Sequence, residues 1–131
     1  MEYNKLIKLV GIILISILFV FSGITKIFTL NETALNFHKI INDGIFSNIL
    51  TFNASQSLII IAILILLIAP LLMIIGVSND NKLLLKIGSS LLIVFTVLAT
   101  IIYHPITDAN ERNNMLKNIS IIGGLVIVSV I

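Results

Sequence analysis

Side chains able to do chemistry are few in this sequence. Lys26, His38, His104, Asp108, Glu111, Arg112 and Lys117 fall in or beside the first and third connections between four apolar segments. Up-and-down threading brings those two connections to one end. Thr96, Thr100 and His104 recur at intervals of four, so they share a helix face that His104 closes. A histidine there suits proton transfer or ligand binding; its plainer role is to end the helix against a loop carbonyl. Lys26 stands three residues after Gly23, on the same face, and glycine admits a close neighbouring helix. Its ammonium would then face an anionic head group, a quinone oxygen or a partner's carboxylate. Its plainer role is to snorkel from a helix end. Asp108, Glu111 and Arg112 read as a solvated, mutually paired loop, because no motif supports a hydrolytic carboxylate pair.

These groups make no complete catalytic constellation. Nucleophile, metal cluster and cofactor loop are all missing, so no self-sufficient enzyme is expected. Cysteine is absent, which removes disulfides, thiolate metal ligands and a redox pair. Two histidines without fixed spacing do not build a metal site. No covalently bound cofactor is expected, and contact with a quinone or lipid stays open at the Lys26 and His104 end. The sequons at Asn31 and Asn53 are discounted as products of an asparagine-rich chain.

The elements that must hold these residues follow from composition. Of 131 residues, 58% are hydrophobic and 11% charged, and the mean hydropathy is +1.17. Soluble domains carry roughly 25% charge, and fourteen charged side chains cannot sheathe a core of this kind, so lipid must cover much of it. A formal charge of +2 gives no reason to expect a nucleic-acid partner. The apolar segments lack the alternation of a barrel strand, and in hydrocarbon the backbone must pair with itself, which leaves helices. We expect one all-α domain over 1–131: a four-helix bundle with spans at about 6–28, 57–77, 84–104 and 114–131. A cleaved signal peptide at the start is the lesser reading, because Val20-Phe21-Ser22 is a poor cleavage site.

The long first connection carries Asn31-Glu32-Thr33 before Ala34, Leu35, Phe37, Ile40 and Ile41, which predicts a short interfacial helix. Asn42-Asp43-Gly44 predicts a turn, and Ser78–Asn81 a tight polar one. Pro70 predicts a bend in the second span. Small residues mark helix-packing faces at Gly23, at Ala62, Ala69 and Gly76, and at Gly123 and Gly124. Basic residues divide evenly between the two ends, so the positive-inside rule is silent. The expectation is a plasma-membrane protein with both termini cytoplasmic.

Phe21-Ser22-Gly23-Ile24-Thr25-Lys26-Ile27 resembles the end of the first helix in the DoxX family. Ile75-Gly76-Val77 resembles the end of its second helix, and Ile101-Ile102-Tyr103-His104-Pro105 the histidine ending its third. Met115-Leu116-Lys117-Asn118-Ile119, continuing to Gly123-Gly124-Leu125, resembles the start of its fourth. The resemblance implies a four-helix membrane bundle linked to redox physiology, at most a subunit of a membrane oxidoreductase, with Gly23, Lys26, His104, Lys117 and Asn118 as family-like positions. The sequence departs from the family where Leu67 and Pro70 replace a glutamate and a glycine of the second helix.

Three functions follow as expectations. The leading one is a membrane subunit that recruits or supports a redox partner. The second is a small-molecule or lipid-handling protein whose candidate cluster is Lys26, His104, Asp108, Lys117 and Asn118. The third is a structural membrane component, for which a homo-oligomer would suffice.

Overall fold

A computed structural model of the protein describes residues 2–43, 51–104 and 109–131. The described residues are helical, with no strand: α1 Tyr3–Phe28, α2 Leu30–Asp43, α3 Phe52–Ser78, α4 Lys82–Tyr103 and α5 Arg112–Val130. At 1.5 Å per residue, α1 and α3 are each about 40 Å long and α5 nearly 30 Å, enough for a hydrocarbon core of about 30 Å. All but α2 are long and apolar enough to cross a membrane. The fifth helix, α2, stands where the sequence predicts a short one.

Only narrow stripes of the long helices are covered by protein. In α1 the buried stripe is Ile12, Ser16, Phe19 and Gly23, while Leu14, Phe21 and Phe28 point outward. In α5 only Leu125 and Val128 are buried. The exposed remainder is apolar, the pattern of a surface solvated by lipid.

The central element is α3, which packs against α1, α2 and α4, with α5 laid against α4. Its buried positions Leu66, Ala69, Met73 and Val77 join Ile12 and Phe19 of α1, Leu85 and Leu92 of α4, and Leu125 of α5 in one core. Small residues allow the closest approaches. A Cβ at Gly88 of α4 would stand 2.6 Å from the Ala69 carbonyl oxygen, and one at Gly76 would stand 2.7 Å from the Leu85 amide nitrogen. At Gly23 the neighbours would be Leu66 and Leu67 side chains, at 3.1 and 3.0 Å. The last helix differs from expectation: Gly123 is exposed, with nothing within 4 Å of a Cβ, and Gly124 alone approaches α1, through Ile15. Ala62 is half-buried beside an apolar cleft.

The α3–α4 turn explains its own sequence. Asn81 N–H bonds the Gly76 carbonyl and Asp80 N–H the Val77 carbonyl, the paired pattern of a Schellman ending. Asp80 takes the left-handed residue, with φ of 55°. Asn81 then caps α4, its side chain accepting from the Leu83 and Leu84 amides at 3.1 Å. Pro70 is buried inside α3, which runs on through it to Ser78.

The junction between α1 and α2 is a single residue. Thr29 N–H bonds the Thr25 carbonyl, and the Thr29 carbonyl accepts from Thr33 N–H at 2.8 Å. α2 buries Ala34, Phe37 and Ile41 against Ile59 and Ile63 of α3. Asn42 and Asp43 end α2 as helix, and Gly44 lies outside the described residues.

Candidate functional site

The near-continuous α1–α2 pair lays a polar stripe along one face. Ser22, Thr25, Lys26, Thr29, Thr33 and Asn36 recur at helical spacing across the junction, facing Tyr103 and His104 at the end of α4. Between them lies an open cavity of about 600 Å³, which Glu32 also lines. Lys26 is half-buried in its wall and donates to the Ser22 hydroxyl at 2.7 Å. That bond holds the ammonium on the stripe and leaves it two further donors.

A second cleft, of about 270 Å³, opens beside the first. Ile59, Ala62 and Ile65 of α3 and Phe95, Leu98 and Ile102 of α4 line it, and almost all of its surface is apolar. Lys26, Phe95, Ala99 and Tyr103 belong to both cavities. The two spaces therefore make a chamber lined mainly by polar residues and an apolar slot with a common wall, and Lys26 is the charge at that wall.

His104 has a second attachment. Its Nδ1 donates to the Glu111 carboxylate, which also accepts from Asn114 at 3.0 Å. Both bonds favour the ionised acid, so the Asn114 amide first, and then His104, hold the Glu111 carboxyl below the usual glutamate range. Glu111 thus pairs with His104 and Asn114, where the sequence had suggested a loop of Asp108, Glu111 and Arg112. The rest of the α4 stripe faces another way. Thr100 donates to the Thr96 carbonyl at 2.6 Å and accepts from Asn118 of α5 at 3.0 Å.

The candidate residues are therefore divided. Lys26 and His104 line one chamber, Asn118 ties α5 to α4, Lys117 is exposed on α5, and Asp108 lies outside the described residues. His38 is not among the chamber's lining residues. Its Nε2 bonds the Asn42 side-chain amide at 2.8 Å and its Nδ1 bonds the buried Ser55 hydroxyl at 2.9 Å. That network pins α2 to α3. The missed members of the chamber are Ser22, Thr25, Thr29, Thr33 and Asn36. Their three- and four-residue spacing was the available signal, hidden by assigning α1 and the next helix to separate segments. Among the described residues, no three His, Asp or Glu side chains converge to hold a metal ion.

The DoxX family model matches residues 7–105, well over half of the chain. The chain belongs to the DoxX family. With four helices able to span a bilayer, this DoxX protein is an integral membrane protein. No curated protein and no solved structure matches it. The matched stretch contains every residue lining the two cavities. It ends before α5, so the Met115–Leu125 likeness, with Lys117 and Asn118, falls beyond it.

Proposed function

We propose that this DoxX protein binds an amphiphile, with the head group in the polar chamber at Lys26 and the apolar limb in the slot between α3 and α4. The observation that carries this reading is that Lys26, Phe95, Ala99 and Tyr103 wall both spaces at once. A ligand of mixed character satisfies both sides of such a wall, and a wholly polar or wholly apolar one satisfies only one. An ionisable residue within a spanning helix is costly to keep there and marks function by default. Lipids meet this description directly, and a quinone meets it in part.

The test is a titration of dodecyl phosphate into the protein in a nonionic detergent, followed by thermophoresis. Losing a charge-assisted bond in Lys26→Met weakens binding by about tenfold. Ala99→Leu, which thickens the shared wall, weakens it too. Unchanged affinity in both variants, with helicity and elution as in the parent, overturns the proposal.

A second reading, recruitment of a redox partner, draws on the family resemblance and on exposed Arg112 and Lys117 at the chamber's end of the molecule. Copurification of a second polypeptide from mild detergent, lost in an Arg112→Ser/Lys117→Ser variant, supports it. A clean single species from native membranes refutes it.

A further inference from the structure

The chamber holds charges of both signs that do not neutralise each other. Lys26 and Glu32 both line it, yet the ion pairs among the described residues are Lys5–Asp80 and His104–Glu111. Lys26 is half-buried at the inner wall, where its visible partner is the uncharged Ser22 hydroxyl; Glu32 is exposed in the first turn of α2. Two opposite charges on one cavity wall that leave each other unpaired match a ligand carrying the reverse pair. Thr25, Thr29 and Thr33 line the same chamber; Thr25 and Thr29 donate to the Phe21 and Thr25 carbonyls and Thr33 bonds Thr29, so their hydroxyls are left to it as neutral acceptors. The adjoining slot, at about 270 Å³, sits at the lower limit of ligand pockets, roughly 300 Å³, and has room for one apolar chain.

Building on the amphiphile reading, we propose that the ligand is zwitterionic: a phosphate-and-amine head group, phosphate on Lys26 and ammonium on Glu32, carried on an apolar chain in the slot. A membrane phospholipid and its single-chain relative share this chemistry. In the first the second chain stays in the bilayer; in the second there is none.

The experiment compares four probes on the detergent-purified protein: lysophosphatidylethanolamine, its diacyl counterpart, dodecyl phosphate and dodecyl maltoside. The zwitterionic lipids should bind about tenfold tighter than dodecyl phosphate, the equivalent of one added charged bond. Glu32→Gln, at an exposed position that leaves the fold intact, should erase that margin and leave dodecyl phosphate binding unweakened. Lys26→Met should weaken every phosphate-bearing probe. The tighter of the two zwitterionic probes identifies the source. Equal binding of dodecyl phosphate and the zwitterions, or a margin unchanged in Glu32→Gln, overturns the zwitterion assignment while the amphiphile reading stands. Binding of no probe, or binding indifferent to Lys26, overturns both.

Discussion

Replacing Gly88 by alanine should loosen the whole molecule, although alanine is the better helix former. The added Cβ would lie 2.6 Å from the Ala69 carbonyl oxygen, 2.8 Å from Met73 Cγ and 3.1 Å from the Met73 amide nitrogen. Two of those atoms are backbone, so no rotamer change relieves the clash, and α3 and α4 must part by most of an ångström. Overpacking of this kind costs about 1–3 kcal/mol. The helix-propensity gain of alanine over glycine, about 0.5–1 kcal/mol, acts in the opposite direction. The net expectation is a loss of about 1–2 kcal/mol, the clash outweighing the gain. Gly11 and Gly123 supply the control, since a Cβ at either meets nothing within 4 Å. Gly11→Ala and Gly123→Ala should therefore be neutral or slightly stabilising. Thermal or denaturing-detergent unfolding, followed by circular dichroism in one detergent, ranks all three. Gly88→Ala unfolding together with the parent, or controls falling as far, would rule out a clash at the α3–α4 contact.

Three further outcomes follow from local geometry. Asp80 is left-handed, and its carboxylate, 80% exposed, pairs with Lys5 at 2.9 Å; such a pair contributes little, at most about 1 kcal/mol. Asp80→Gly removes a backbone cost of about 1–2 kcal/mol and should leave unfolding unchanged or delayed, whereas a clear loss of stability would show that the Lys5 pair matters more. The Glu111 carboxyl is held low by Asn114 and His104, so its contribution is complete above the unfolded value of about 4.3. It is lost as pH falls through the lowered folded value, and Glu111→Gln should flatten that part of the acid profile; parallel profiles count against the pairing. His38→Ala should leave the buried Ser55 hydroxyl without its ring partner, costing about 1–3 kcal/mol. Hydrogen exchange should then quicken in α2 and stay slow in α3 and α4; uniform quickening would mean the tie is not local.

The long helices were legible because apolar composition alone demands them, and the short helix at Leu30–Asp43 because Ala34, Phe37 and Ile41 repeat at helical spacing. Boundaries were less so. α3 begins at Phe52, ahead of the expected 57, because Thr51 caps it by accepting the Ala54 amide. That first turn carries Asn53, Ser55 and Gln56, which hydropathy reads as loop. That Lys26 and His104 come together could be read from topology, and the chamber's hydroxyl wall could not. That wall exists only because Thr29 interrupts the helix for one residue and keeps its phase, a backbone detail that residue types do not announce. The Ser55 and Asn42 partners of His38 could not be read, because up-and-down threading fixes which end a residue occupies and leaves open which neighbour it faces. Gly88 was missed because the closest helix approach depends on which face of α4 meets Ala69.

The amphiphile proposal places one ligand in both spaces, across the Lys26 wall. Photocrosslinking with a lysophospholipid carrying a diazirine near the end of its chain tests it most directly, with adducts mapped by peptide mass spectrometry. Labelling should concentrate on Leu58–Ile65 of α3 and Val94–Ile102 of α4, at one adduct per chain, and should fall away in Lys26→Met. Adducts spread over the outward face of α1, from Ile13 to Ile24, and indifferent to Lys26 would mean that the lipid merely surrounds the protein.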